Sequence, residues 1–323
     1  MSLRILSQNE VKQCITMEQA IHAMENAFIQ LAKQQVKLPL RTGITVDEEE
    51  ALTLTMPAYL SQEKALGLKV ASIFPKNITR NKPVITGFIM LLDACTGEPQ
   101  ALMDASYLTA LRTGAVSGLA TQYFATEQAN HVAIIGSGVQ AETQLQAVAT
   151  VRDIKQVSIW SRNIKNAEQF ADKFSHQYAI NVFDQLPSAV KDADIICTAT
   201  SSTEPLIHLH DLQPHTHINA IGSHTPQMQE IGESVLKQAV VLVDQLTAIL
   251  AEAGEIINAV QQKQLKQEEI IEIGNWLVNK DTDYKNQLTV FKSVGLSIQD
   301  VSVASLVYAN ALSKNLGLTC ALS

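Results

Sequence analysis

Three cationic residues, Arg41, Lys69 and Arg112, stand in or next to apolar stretches of the sequence. An uncompensated charge in such a setting is unfavourable, so an anion is expected to meet each of them. A substrate carboxylate gripped by a bidentate Arg would serve, and it would orient the bound molecule for reaction. The alternative is that each cation pairs with a nearby Asp or Glu, and the residues alone favour that alternative for any single cation.

A glycine-rich turn follows a short apolar run within residues 132–141. In a strand–turn–helix unit, Gly136 would permit the tight turn and Gly138 would let the backbone approach a pyrophosphate. The next helix would offer free N–H groups and the positive end of its dipole. Ala141 replaces the usual third Gly, and a lone glycine turn can also be an ordinary connection. Its place in a βαβ pattern favours dinucleotide binding by Gly136, Ser137, Gly138, Val139 and Gln140.

The following strand ends in Ser161 and Arg162, where the ribose of an adenine nucleotide would lie. An acidic residue at this place binds the ribose 2′-hydroxyl, whereas a basic residue accepts a 2′-phosphate. Arg162 therefore favours NADPH over NADH as the cofactor without excluding NADH. The alternative is a surface Arg at the start of a helix.

The first part of the chain mixes helix and strand signals. Thr16 and Gln19 have the spacing of a capping box before a helix that is predicted to reach about Gln34. An Ala-rich helix over residues 105–124 leads out of this region. Between them lie three strand-like runs, at residues 51–55, 67–74 and 84–92. An α+β N-terminal domain is indicated.

From His131 onward, short β-branched runs alternate with helical stretches, which predicts a parallel sheet with crossover helices. Ser297 and Asp300 have capping-box spacing and are predicted to open a last helix reaching about Asn315. We predict an α/β protein: a Rossmann doubly wound sheet at 126–296, and a substrate and dimerisation domain at 1–125 plus 297–323. The predicted strands of the sheet are residues 132–135, 157–160, 195–198, 218–221, 240–243 and 288–294.

Composition excludes several classes of function. The net charge of -8 and the pI near 5.5 give no electrostatic footprint for nucleic acid or anionic lipid. No signal-peptide pattern or membrane-spanning apolar stretch is found, so we expect a cytoplasmic protein. The cysteines lie far apart, without paired metal or redox spacing. No metal site is expected at the histidine run either: His208, His210, His215 and His217.

Five motifs in order resemble those of a known family over nearly the whole chain, namely the ornithine cyclodeaminase and mu-crystallin family. They include a Lys-containing strand with a Phe-Pro-x-Asn turn, an Asp-x-x-Thr-Gly-x-Pro turn and an Arg-Thr-x-Ala helix. The motifs are residues 67–77, 92–99, 108–115, 197–201 and 290–300.

The resemblance implies a homodimer whose N-terminal domain, completed by the last helix, forms the interface and the substrate pocket. It implies that Arg41 and Arg112 bind the substrate carboxylate and that Lys69 lies at the reacting carbon and nitrogen. Asn77 and Thr86 would line the pocket. Further substrate and cofactor contacts are expected from His224, Thr113, Thr198, Ala199, Thr200, Ile221 and Val294.

The family includes cyclodeaminases, alanine dehydrogenases, ketimine reductases and crystallin-like binding proteins. The first two resemble each other in an Asp two residues before Pro226, where this chain has His224. His224 is either a substrate contact or a solvent-facing loop residue. The ornithine enzymes also resemble one another in a Glu two residues before the Met-Pro dipeptide, and this chain has Leu54 at that position. Both departures disfavour the cyclisation of ornithine.

The expected activity is therefore NAD(P)H-dependent reduction of a cyclic ketimine carboxylate. Δ1-pyrroline-2-carboxylate would give L-proline, and Δ1-piperideine-2-carboxylate would give L-pipecolate, with a buried Lys69 as proton donor. Ornithine cyclodeaminase, alanine dehydrogenase and a crystallin-like small-ligand binding protein are the alternatives.

Overall fold

In the computed structural model, which describes residues 2–322, the chain divides into two compact units. The first comprises the described residues up to Arg112 together with those from Leu296 onward, and the second is Thr113–Gly295. The division falls inside one long helix, α3 (Ala105–Phe124), whereas the boundary expected from the sequence left that whole helix in the first domain.

The first unit is an α+β structure. Its helices are α1 (Gln8–Cys14), α2 (Met17–Ala32), the beginning of α3, and α11 (Ser297–Ser313). Its strands are β1 (Ser2–Leu6), β2 (Val36–Lys37), β3 (Thr42–Val46), β4 (Ala51–Leu60), β5 (Ala65–Ile73), β6 (Ile85–Asp93), β7 (Pro99–Asp104) and β16 (Leu318–Ala321).

These strands form one sheet in the order β16-β1-β7-β6-β5-β4-β2, and β3 pairs with β4. All neighbours are antiparallel except β1 and β7. Helix α11 packs on β4, β5 and β6 and against α2. The capping box at Thr16 is confirmed, and Ile21, Met24 and Phe28 are buried along one stripe of α2. One face of the central strands is therefore covered by helix, and Lys69 lies on that face of β5.

The second unit is an alternating α/β structure. Its strands are β8 (His131–Ile135), β9 (Gln156–Trp160), β10 (Ala179–Phe183), β11 (Ile195–Thr198), β12 (His217–Ala220), β13 (Val240–Val243), β14 (Ile271–Glu272) and β15 (Thr289–Lys292). Besides the rest of α3, its helices are α4 (Val139–Val151), α5 (Ile164–Phe174), α6 (Leu186–Val190), α7 (Glu233–Gln238), α8 (Leu246–Glu252), α9 (Gly254–Gln261) and α10 (Ile273–Asn279).

All strands of this second sheet are parallel, in the order β10-β9-β8-β11-β12-β15-β13-β14. Both faces are buried: Ile134 packs with Leu145 and Phe170, whereas its neighbours Ala133 and Ile135 pack with the core of the other face. The chain reverses its winding between β8 and β11, and ligands bind at such switch points in open α/β sheets. The predicted doubly wound sheet is confirmed.

Within residues 2–322, no helix combines the length and the apolarity that crossing a membrane requires.

Candidate active site

Lys69 is the most deeply buried cation of the first unit that the sequence singled out. It lies in the middle of β5, opposite Met56 of β4 and Ile89 of β6, and only 4% of it is exposed. Both cross-strand neighbours are apolar and buried. Its ammonium group therefore depends on other elements for a partner.

That partner is Asp300, a fully buried residue in the first turn of α11. The Lys69 Nζ lies 2.7 Å from Asp300 Oδ2. The Arg112 Nε donates to Asp300 Oδ1 at 3.0 Å, and Arg112 Nη1 donates to the amide oxygen of Gln299 at 2.8 Å. We call these four residues the Lys69 cluster: Lys69, Arg112, Gln299 and Asp300.

The capping box expected at Ser297 and Asp300 is wrong. Helix α11 does begin at Ser297, but the residue before it, Leu296, is the N-cap and has no side-chain cap bond. The Ser297 hydroxyl donates to the carbonyl of Pro57, and the carboxylate of Asp300 pairs with cations. Spacing alone cannot separate a cap from an inward-facing carboxylate, because both occupy the first helical turn.

The cluster sets the protonation of Lys69. The pKa of Lys69 is lowered from 10.5 to about 8, and burial is the largest cause. Asp300 opposes this shift through its charge and hydrogen bond, whereas the charges of Arg112 and Arg41 contribute to it. Burial opposes ionisation of Asp300, yet the charges of Lys69 and Arg112 lower its pKa overall. The result is an ionised pair whose lysine can still release a proton near neutral pH.

Four further residues with expected substrate contacts lie apart from the cluster or at its margin. Arg41 is half-buried and near enough to influence Lys69. Asn77 donates to the carbonyl of Pro83 and so holds its own turn. Thr86 pairs with Ser72, which lies three residues from Lys69 along β5, so strand alternation turns both side chains to the face opposite Lys69. His224 belongs to the second unit, is exposed, and hydrogen-bonds through Nδ1 to the carbonyl of Gly222.

The glycine turn of the second unit fits a dinucleotide. Gly136 has φ +110, and a Cβ there would collide with the backbone of Ala199, so only Gly fits. A Cβ at Gly138 would meet open space, and Gly138 is the N-cap of α4 without a side-chain cap bond. The first N–H groups of α4 thus lack a side-chain partner, as a pyrophosphate site requires. Ala141 is fully buried under this turn.

A cleft of about 260 Å³ opens beside this turn. It brings together six of the residues expected to bind cofactor: Gly136, Ser137, Ser161, Arg162, Ala199 and Thr200. The sequence missed the other lining residues, which are Trp160, Asn163, Asn166, Ser201, Ser202 and Leu206. The remaining expected cofactor contacts are outside its lining: Thr113, Gly138, Val139, Gln140, Thr198, Ile221 and Val294.

A buried carboxylate that the sequence did not single out, Glu230, organises the loops after β11 and β12. It accepts hydrogen bonds from the hydroxyl of Thr198 at 2.8 Å and from the N–H groups of Thr200, Gly222 and Ser223 at 2.7, 2.8 and 3.2 Å. A Cβ at Gly222 would collide with Glu230 and with the backbone of Thr200. This side chain thereby fixes the loops on which Thr200 and Ile221 lie.

A second buried carboxylate, Asp244, fixes the loop after β15. It accepts from the Ser293 hydroxyl at 2.8 Å and from the N–H groups of Val294 and Gly295 at 3.0 Å each. Val294 was expected at the end of a strand, but β15 ends at Lys292 and Val294 is a loop residue. Its backbone N–H is therefore already paired within the protein.

Lys292 belongs to a third buried arrangement, at the end of β15. Its Nζ donates to the carbonyl of Ser223 at 2.6 Å and lies 3.0 Å from the carboxylate of Glu255. Both side chains are almost completely buried. Like Glu230 and Asp244, this pair ties together loops at the carboxyl end of the parallel strands.

The four histidines of the run do not converge on one site. His217 is buried between Thr289 and Asn219, and burial lowers its pKa to about 3, so it is neutral. His208 and His210 stack on each other with ring centroids 5.8 Å apart. Among residues 2–322, no three His, Cys, Asp or Glu side chains are grouped to hold a metal ion.

A doubly wound parallel sheet with a fitting glycine turn at its switch point defines an α/β protein with the Rossmann-like fold of dinucleotide-binding enzymes. The chain belongs to the ornithine cyclodeaminase/mu-crystallin family, whose model matches residues 1–315.

Relatives with known names or structures cover essentially the whole chain. A Δ1-pyrroline-2-carboxylate reductase of Bacillus cereus is 34% identical over 319 residues, 97% of this chain and 98% of that protein. The Thermococcus litoralis enzyme of the same name, solved with NADH and L-proline, superposes with a TM-score of 0.93 at 34% identity and covers 98% of this chain and 99% of its own. An archaeal alanine dehydrogenase dimer with bound NAD gives 0.92 at 33% identity, with both chains covered completely.

Proposed function

We propose that this protein is an NAD(P)H-dependent reductase of cyclic ketimine carboxylates, acting on Δ1-pyrroline-2-carboxylate, Δ1-piperideine-2-carboxylate or both. The observation that carries the proposal is the Lys69 cluster, in which a buried lysine with a pKa of about 8 lies beside Arg112. Reductases with this substrate and this overall structure are among the relatives.

The proposed mechanism assigns a separate task to each cation. Reduced nicotinamide, when bound, supplies a hydride for the imine carbon. Arg112 and Arg41 hold the substrate carboxylate and so fix the ring in one orientation. The ammonium of Lys69 donates a proton to the ring nitrogen, and a proton-donor pKa close to the working pH suits general acid catalysis. The hydride and this proton convert the imine into the secondary amine, and a second proton, taken up from solvent, gives the zwitterionic cyclic amino acid.

The surroundings of Lys69 favour a ring without a second amine. Leu54 of β4 lies two residues from Met56 on the face of Lys69, and it is paired with Ala71 of β5. A cyclodeaminase needs an anion to hold the side-chain ammonium of its substrate, and Leu54 offers only apolar surface. An ornithine substrate is therefore disfavoured on structural grounds as well.

Alanine dehydrogenase is the second candidate, because a solved enzyme of that name superposes over the whole chain. One assay separates the candidates: oxidation of NADPH or NADH by the purified protein with each imine, or with pyruvate plus ammonia. The proposal expects rapid oxidation with an imine. Oxidation with pyruvate and ammonia alone, or ammonia release from L-ornithine with NAD, would replace it.

The cleft beside the glycine turn supports a preference for NADPH. Arg162 lines it together with Asn163 and Asn166 at the start of α5, and Glu or Asp is absent from its lining among the described residues. The 2′-phosphate of NADPH would meet the guanidinium of Arg162, and that charge-assisted contact has no counterpart in NADH.

We expect Arg162→Ser to raise the KM for NADPH by about 10- to 100-fold, because hydrogen bonds to a charged group are lost, while the KM for NADH changes little. Steady-state kinetics with both cofactors measures the difference. Lys165→Ser is the matched control, since this exposed lysine follows in α5 but does not line the cleft. An equal effect on both cofactors would contradict the preference.

We also infer a homodimer. The face of the first sheet opposite to Lys69 carries apolar residues that are only half-buried within one chain, namely Pro57, Leu66, Leu68, Val70 and Met90. Phe88 on the same face is 38% exposed. A broad apolar face of this kind is typical of a protein interface, and one related enzyme is a dimer. Sedimentation at micromolar concentration is expected to give twice the chain mass of 35.2 kDa; a monomer would contradict the inference.

A further inference from the structure

Asp300 is the only acidic side chain that the described residues bring into contact with both Lys69 and Arg112. It is fully buried, and each of its carboxylate oxygens faces a different cation. Burying three charges is costly, and removing any one of them leaves an uncompensated charge in the interior. Such a group is weak evidence for stability, which favours a role in catalysis. The first turn of α11 adds the positive end of a helix dipole, which favours the carboxylate anion.

We propose that Asp300 is a positioning residue, which holds Lys69 in its ammonium form at neutral pH and fixes the guanidinium of Arg112 in a single orientation. The proposal rests on the imine reductase function stated above. It assigns one carboxylate to two parts of the reaction: the proton that Lys69 delivers and the carboxylate anchor that Arg112 provides.

The charges that face Lys69 come from three directions. Asp300 approaches from α11, Arg112 from α3, and Arg41 acts from the segment between β2 and β3. The adjacent strands contribute only Met56 and Ile89. Burial and both arginines favour the neutral amine, and Asp300 is the group that opposes them. Without Asp300, the pKa of Lys69 would be lower still, and a smaller fraction of Lys69 would be a proton-donating ammonium at neutral pH.

Gln299 allows the two tasks of Asp300 to be separated. Its amide oxygen accepts from Arg112 Nη1, whereas the ammonium of Lys69 pairs with Asp300. Its amide nitrogen is buried and has no hydrogen-bond partner among the described residues. Changing Gln299 therefore loosens Arg112 without removing the anion beside Lys69.

The test compares the pH dependence of kcat/KM for imine reduction in Asp300→Asn, Asp300→Glu and Gln299→Leu. We expect the alkaline limb of wild type near the pKa of Lys69, about 8. Loss of a charge at salt-bridge distance is expected to move that limb down by about one pH unit or more in Asp300→Asn. Asp300→Glu keeps the charge and should restore the limb, even if its turnover is lower. Gln299→Leu should raise the substrate KM and leave the limb in place.

A direct titration makes the outcome independent of turnover. Protein labelled with ¹³C at the lysine ε-carbon reports each ammonium by NMR, and the signal lost in Lys69→Arg assigns Lys69. The wild-type midpoint should lie above neutral pH, and Asp300→Asn should lower it. Unchanged midpoints in Asp300→Asn would overturn the proposal, and so would a wild-type Lys69 that is already neutral at pH 7, a result that needs no variant to fold. Absence of imine reduction with the expected titration would instead overturn only the proposed function.

Discussion

Lys69→Met is expected to lower kcat for imine reduction by about 10²- to 10⁴-fold, the usual contribution of a positioned proton donor. Methionine preserves most of the side-chain volume between Met56 and Ile89 but carries no proton. Asp300 keeps Arg112 as a partner, so the anion is not left unpaired. The loss should therefore lie in kcat, since the carboxylate anchor of the substrate is retained.

Steady-state kinetics with NADPH and both imines measures this effect. Lys82→Met is the matched control because Lys82 is exposed in the turn before β6 and lies outside the Lys69 cluster. The KM for NADPH should stay close to that of wild type, because the cleft residues belong to the second unit. A variant that retains more than about one tenth of the wild-type kcat would show that water or another group delivers the proton.

The central strands and long helices of this protein were predictable because buried segments have a strong local pattern of apolar residues. Strands β11 and β13 and helix α3 have the bounds expected from the sequence. Parallel strands are covered on both faces, so they are continuous apolar runs that stand out between polar connections. The strand or helix predicted from the residue pattern agrees with the structure where a segment is buried along its whole length.

The edges of the first sheet were not predictable in the same way. Strand β3 is mostly exposed and pairs only with β4, whereas β1 pairs with β7 and β16, which are distant in sequence. Strand pairing of this kind depends on tertiary context, because β propensity reflects packing against neighbours more than local preference. The sequence accordingly indicated three strands in a sheet that has eight.

The cations of the candidate site were predictable from the sequence, whereas its buried acids were not. The sequence predicts Lys69 and Arg112 as site residues because a charge inside an apolar stretch needs a partner. The same rule applied to acids would have singled out Asp300, which lies among buried residues of α11, and Asp244, which directly follows the apolar strand β13. The spacing of Ser297 and Asp300 instead predicts a helix cap, and local sequence patterns do not reveal a pair whose members are so far apart in the chain.

Arg112→Lys is expected to lower kcat/KM for the imine by about 10²-fold, mainly through a higher substrate KM. Lysine keeps the charge, but a single ammonium cannot reproduce the fork that reaches Asp300 through Nε and Gln299 through Nη1. Each lost bond to a charged group is worth about 1.5–3 kcal/mol, and the planar guanidinium that would grip the substrate carboxylate is lost with them.

Comparing Lys69→Met with Arg112→Lys distinguishes the proton donor from the residue that binds the substrate carboxylate. Lys69→Met should change kcat with little change in substrate KM, whereas Arg112→Lys should do the reverse, because a carboxylate anchor acts on the bound ground state as well as on the transition state. Binding of L-proline, followed by calorimetry, gives an independent measure of the anchor. Weak binding to Arg112→Lys and near-normal binding to Lys69→Met would support the division of roles. Equal losses in both variants would mean that Lys69, Asp300 and Arg112 act as one unit whose members cannot be assigned separate tasks.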